Sequence, residues 1–249
     1  EGTAVEDFFK PDRIVIGGND SSKVQKLKDL YSDFKAEIII TDPISSQLIK
    51  YLANTYLPLR LSFVNEAARL VNSSGGNLDD VLKGVGMDSR IGQQYFRPSP
   101  AWGGSCFPKD VVEVNNFYDP DEVNLPLIAN IIESNKIQTQ WTANMLKSIH
   151  NDKKLTGIIL VGAAFKEDTD DLRNSPTLDI YNELKAENMN TMIYDDLIKS
   201  EEYLSIEDFE NLEEPHLIAL MYPVKEDLMS KINNIVSKTN SFLYTPWQI

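Results

Sequence analysis

Gly157-Ile158-Ile159-Leu160-Val161, a loop from Gly162 to Asn174 carrying Lys166 and Arg173, and then Ser175-Pro176 decide the fold class of this chain. The apolar run is too short for a buried helix and is bounded by glycines, so it reads as a buried strand. Pro176 suits the first turn of a helix, which continues to Glu187. Outward from there the pattern repeats: strand Thr191–Tyr194, a variable segment, strand His216–Met221, helix Glu226–Val236, strand Phe242–Tyr244. Alternating strands and helices predict a parallel sheet in an α/β domain. Ligands of such sheets sit at the carboxyl ends of the strands, which is where the 162–174 loop leaves. Lys153 to Thr156 marks the domain boundary, giving a C-terminal α/β domain over 153–249.

Upstream, residues 1–42 read as the end of another α/β unit. Arg13 to Ile16 is a strand closed by Gly17-Gly18. Asp20-Ser21-Ser22 caps a helix to about Phe34, and Glu37 to Thr41 is a second strand. No Gly-x-Gly-x-x-Gly turn stands in it.

Residues 43–152 are helical. One pattern runs from Ile44 to Ser73, with Leu48, Leu52, Tyr56, Leu59, Phe63, Ala67 and Leu70 on one stripe. Pro58 is expected to kink it. A helix of that length is not satisfied by a small domain alone. A short helix starts at Asn77, and another spans Pro126 to about Ser148. The Asp119–Glu122 run before it is a solvated loop.

The only cysteine lies in Gly103-Gly104-Ser105-Cys106-Phe107-Pro108-Lys109-Asp110. The glycines allow close approach or positive φ, and Pro108 opens a helix. Cys106 therefore sits at a helix N-terminus, where unpaired amides and the helix dipole favour a thiolate. A lone cysteine is more often an inert buried one. The glycines, the proline and the flanking Lys109 and Asp110 favour the nucleophile. Lys50 and Asn54, four apart, share a helix face; without context such a pair is usually a solvated face.

The net charge is −14. That argues against general affinity for nucleic acid or anionic membranes, while leaving local lysines and arginines free to hold a phosphorylated ligand. No apolar run reaches membrane-spanning length. A single cysteine fits a reducing cytoplasm. His150 and His216 lack metal-ligand spacing, and no metal site is expected. Glu1 opens in mid-motif with no initiator methionine, so the sequence reads as a fragment.

The cysteine stretch resembles the signature of the UDP-glucose/GDP-mannose dehydrogenase family, and within it the UDP-glucose type. Further blocks agree in order and spacing: Glu1-Gly2-Thr3-Ala4, Pro11 to Gly18, Lys50 to Asn54, Ser62 to Glu66, Gly86 to Gly92 and Phe165 to Pro176. The likeness is specific to about residue 180. It weakens beyond, where Met221-Tyr222-Pro223 and Tyr244-Thr245-Pro246-Trp247 depart from the family pattern. Pro98-Ser99-Pro100-Ala101-Trp102 also departs, toward a stiffer, bulkier loop.

The resemblance implies the end of an NAD-binding Rossmann-like domain, a central dimerisation domain with one long helix, and a C-terminal UDP-binding domain. It implies oxidation of UDP-glucose to UDP-glucuronate with NAD, through a thiohemiacetal and a thioester on Cys106. Lys50 and Asn54 stabilise the oxyanion, Asp110 positions water, and Glu1 is a further catalytic carboxylate. Substrate binding falls to Lys50, Asn54, Arg90 (reaching into the neighbouring subunit), Tyr95, Arg97, Gly103 and Lys166. The cofactor contacts are Cys106, Lys109 and Arg173. A homodimer forms through the long helix. Two alternatives stand beside this: a UDP-N-acetylhexosamine or GDP-mannose dehydrogenase, and a nonenzymatic UDP-sugar-binding module.

Overall fold

The computed structural model describes residues 4–117, 119 and 121–247. It begins with α1 (Ala4–Phe9), β1 (Arg13–Gly17), α2 (Ser21–Leu30) and β2 (Glu37–Thr41). β1 and β2 pair in parallel, with Ile14 opposite Ile38. Asp20 caps α2 by accepting from the Ser22 and Lys23 amides. α2 stops at Leu30, short of the expected Phe34. There the backbone tightens, with the Phe34 amide donating to the Tyr31 carbonyl, and the Phe34 ring packs edge-on against Phe8 and flat against Phe9.

α3 (Pro43–Ser74) is the long helix. Asp42 caps it through the Ser45 amide, and Gly75 closes it at φ +72°. The helix runs on through Pro58, which is buried. Its burial offsets the cost of the missing donor, and the helix continues on both sides of it. Which face is inside also differs from what the apolar stripe suggests. Leu52, Tyr56, Phe63 and Leu70 are about half to two-thirds exposed (49–67%), while Thr55, Ser62 and Asn65 are buried. Ser62 and Asn65 pair with Trp102 and Ser99, and the Thr55 hydroxyl donates to the Tyr51 carbonyl of its own helix, so burying them carries no unpaired cost.

α4 (Leu78–Gly86) packs on α3 through Val64, Ala68, Val71, Leu82 and Phe96. α5 (Phe107–Asn116) follows the cysteine. The helix expected over 126–148 is in two pieces, α6 (Pro126–Ala129) and α7 (Ile131–Lys153). The amide of Asn130 donates to the Pro126 carbonyl, so a side chain competes with the backbone at the break.

The C-terminal sheet has β3 (Ile158–Val161), β4 (Thr191–Tyr194), β5 (Leu217–Leu220) and β6 (Phe242–Tyr244), all parallel, in the order β4-β3-β5-β6. β3 is buried along its length, as a central parallel strand should be. α7 and α8 (Pro176–Ala186) cover one face through Ala143, Leu146, Ile180 and Leu184. α9 (Ile206–Glu210), in the segment read as variable, covers the other with α10 (Glu226–Thr239). α7 also reaches the central segment, so one helix joins both regions. Among the described residues no helix is long and apolar enough to cross a membrane.

Candidate active site

Cys106 is the residue before α5, and it is exposed. Gly103 and Gly104 deliver it there. An added Cβ on Gly103 would lie 1.9 Å from the Asn174 carbonyl oxygen, and Gly104 has φ +91°. The side-chain amide of Asn174 donates to the Gly104 carbonyl at 3.1 Å. The cysteine turn is thus pressed onto the 162–176 loop of the C-terminal sheet. Between them lies a cavity of about 440 Å³. Tyr95, Arg97 and Trp102 wall it beside Cys106, and Phe165, Lys166 and Trp247 close the opposite side. Tyr95, Arg97, Gly103, Cys106 and Lys166, dispersed in sequence, therefore meet at one hollow.

Behind the cysteine, Asp110 lies one helical turn on and is almost wholly buried. The Asn54 side-chain amide donates to Oδ2 at 2.7 Å, Lys109 Nζ donates to Oδ1, and Lys50 Nζ stands 3.7 Å from Oδ2. Burial by itself raises the carboxyl, but the Lys109 and Asn54 hydrogen bonds and the Lys50 charge outweigh it and hold Asp110 below the usual carboxylate range. Lys109 is raised in turn, chiefly by its bond to Asp110. Lys50 and Asn54 also border a second hollow of about 340 Å³ against Arg13 and Val15 of β1. Asp110 lines neither hollow, but it ties Lys50 and Asn54 of the second to the helix that follows Cys106.

A pH dependence follows. The lowered Asp110 contributes stability that is present above the unfolded value near 3.9 and is lost as pH falls through the lower folded value. Asp110→Asn should cost about 1–2 kcal/mol at pH 7, since the lysines are more than half exposed and screened. The gap between wild type and variant in urea midpoint should close below about pH 4. A constant gap down to pH 3 contradicts this.

Lys50, Asn54 and Asp110 thus lie behind the cavity without lining it, and three more predicted residues also stand apart from it. Arg90 is exposed, with Nε and a terminal nitrogen on Asp88. Arg173 grips Asp171 in the same way, at 2.8 and 2.7 Å. Lys109 points to Asp110. Glu1 lies outside the described residues. Conversely, Tyr222 and Trp247, noted in the sequence only within stretches that depart from the family pattern, line the cavity. Tyr222 lies over Gly162, whose added Cβ would come 2.5 Å from its ring, and its hydroxyl donates to buried Asp195 at 3.0 Å. Burial, and next the Asp195 charge, push that hydroxyl up, so it stays a donor. An aspartate ending a parallel strand was the available signal.

A dinucleotide pyrophosphate does not fit against the Gly17-Gly18 pair that ends β1. Added Cβ atoms on Gly17 and Gly18 would lie 2.0 Å from Ser46 Oγ and 2.7 Å from Val24 Cγ2. These glycines seat α3 and α2 against the sheet and make no phosphate cradle.

Three stretches match one family: 1–35 the NAD binding domain, 44–137 the central domain, and 159–236 the UDP binding domain of the UDP-glucose/GDP-mannose dehydrogenase family. UDP-glucose 6-dehydrogenase of Rickettsia felis is 37% identical over 88% of the chain and 49% of the relative. That of Rickettsia conorii is 36% identical over 100% and 56%. The chain thus spans about half the length of these curated relatives. Among solved structures, a UDP-glucose dehydrogenase of Pyrobaculum islandicum superposes with TM-score 0.81 at 26% identity, covering 99% of this chain and 58% of the other.

Proposed function

Because the chain belongs to the UDP-glucose/GDP-mannose dehydrogenase family, we propose that it carries the substrate-binding, nucleophile-bearing part of an NAD-dependent UDP-glucose 6-dehydrogenase of the cytoplasm. The observation that supports this best is Cys106 on the wall of the cavity between the matched central and UDP-binding segments. The domains are residues 1–42, 43–152 and 153–249.

NAD supplies the oxidising power when bound. The chain's own residues hold and trap the sugar. Lys166, Arg97 and Tyr95 grip the nucleotide sugar beside Gly103, with Arg90 reaching from a second subunit. Cys106 Sγ adds to the C6 aldehyde carbon, and the carbonyl oxygen takes a proton to give a thiohemiacetal. Lys50 and Asn54 stabilise the developing oxyanion. After oxidation to the thioester, water held by Asp110 adds to the carbonyl, the thiolate leaves, and the carboxylate forms. Glu1 joins the catalytic groups. Arg173 and Lys109 serve the cofactor side together with Cys106.

Titration of the chain should show UDP-glucose binding more tightly than GDP-mannose, and Lys166→Ala weakening UDP-glucose about tenfold, the scale of one charge-assisted contact. Equal or reversed preference sinks the UDP-glucose assignment.

The outward stripe of α3 is the dimer surface. Leu52, Tyr56, Phe63 and Leu70 form an exposed apolar row along a 32-residue helix. Phe63→Glu with Tyr56→Glu should halve the mass seen by light scattering. A wild type that is already monomeric at micromolar concentration removes this role and that of Arg90.

A further inference from the structure

The cavity wall at residues 99–102 has almost no local structure of its own, yet its backbone is held by side chains from two helices. The Ser99 amide donates to Asn65 Oδ1 at 2.8 Å, and the Ser99 carbonyl accepts from Gln138 Nε2 at 3.0 Å. The Trp102 amide donates to Asn135 Oδ1 at 3.0 Å, and its carbonyl accepts from Asn135 Nδ2 at 2.7 Å. Arg69 donates to Gln138 Oε1, fixing which way that amide points. Pro98 and Pro100 bring no N–H, so Ser99, Ala101 and Trp102 carry the donors of this stretch. Two of the three are taken by asparagines.

These are not surface contacts. Asn65 and Gln138 are 0% and 2% exposed. Helix-borne amides buried in this way must be paired, and here their partners are the loop's main chain. We infer that Asn65 on α3 and Asn135 and Gln138 on α7 are positioning residues that hold the wall over 99–102 in its ligand-ready shape. A wall residue left free has backbone entropy to lose when a ligand orders it, so a fixed wall binds more tightly. The affinity part rests on the UDP-sugar reading; the wall-holding part does not.

Residue-resolved amide exchange on the unliganded chain tests the wall directly. Ser99 and Trp102 amides should be slow in wild type. Asn135→Ala should speed Trp102 at least tenfold, and Asn65→Leu should do the same for Ser99, with β3 unchanged. Asn65→Asp keeps an acceptor for the Ser99 amide and lets the Ser99 hydroxyl donate in its turn, so it should keep Ser99 slow. With UDP as probe, Kd should rise about tenfold in Asn65→Leu and Asn135→Ala and stay within about threefold in Asn65→Asp. Fast Ser99 and Trp102 exchange in wild type overturns the inference, as does an unchanged Kd in a variant whose wall has become fast. If wild type does not bind UDP, the functional reading falls and the exchange rates alone decide the wall. Should Asn65→Leu not fold, Asn135→Ala, only half-buried, carries the same comparison.

Discussion

Cys106→Ser should leave the protein folded and end acid formation. Cys106 is exposed at the N-cap of α5 and makes no side-chain capping bond. Serine is a favoured N-cap, so thermal stability should hold or rise slightly. The chemistry has no such substitute. An alkoxide is scarcely available at neutral pH, and an ester, if formed, hydrolyses more slowly than a thioester. In a protein joining this chain to an NAD-binding domain, UDP-glucuronate formation should fall on the order of a thousandfold or more. Any product should stop at the aldehyde. Residues 1–249 alone should give no NADH with UDP-glucose, since Gly17 and Gly18 at the end of β1 seat helices and make no pyrophosphate cradle. Acid formed by the serine variant at the wild-type rate removes the thioester from the path.

Gly103→Ala should be the most damaging glycine-to-alanine change among the described residues. The new Cβ would meet the Asn174 carbonyl oxygen at 1.9 Å and Pro176 Cδ at 2.9 Å. Neither is the end of a flexible side chain, so the two backbones must part. The Gly104–Asn174 bonds at 3.4 and 3.1 Å go with them. A loss of about 3 kcal/mol in urea unfolding is expected, with UDP affinity falling at least tenfold as the cavity opens. Gly84→Ala is the control. It lies inside α4 with nothing within 4 Å, and should stabilise by up to about 1 kcal/mol. Equal midpoints for the two variants refute the close approach.

Local signals accounted for the elements with strong punctuation. Asp42-Pro43 and Gly75 bound α3, and Cys106 stands at the start of α5 as the Gly-Gly and Pro108 pattern implies. The central strand of the C-terminal sheet was legible from four apolar residues between glycines. Where local signals competed, the sequence misled. Asn130 breaks the helix expected from Pro126, while α3 runs on through Pro58 as the single long pattern implied. A proline's cost depends on what packs around it, and an asparagine's choice depends on which backbone acceptor it finds.

The apolar stripe of α3 shows the limit most clearly. Spacing alone placed Leu52, Tyr56, Phe63 and Leu70 on one face, and that is correct. Which face turns inward was settled by hydrogen bonds between residues tens of positions apart: Asn54 with Asp110, Trp102 with Ser62, Asn65 with Ser99. Periodicity sees only near neighbours, so it cannot weigh a paired buried amide against an exposed leucine.

By itself, the sequence determined the α/β class, the long helix, the cysteine at a helix start and the likeness to one family, because each is written in contiguous residues or in ordered blocks. Only the tertiary structure decided that Lys166 and Cys106 share a cavity, that Arg173 turns to Asp171, and that Tyr222 and Trp247 belong to its walls. Those facts depend on how the C-terminal sheet docks on the cysteine turn. That docking is set by the close approach of Gly103 to Asn174, a contact across 71 positions that no local pattern encodes.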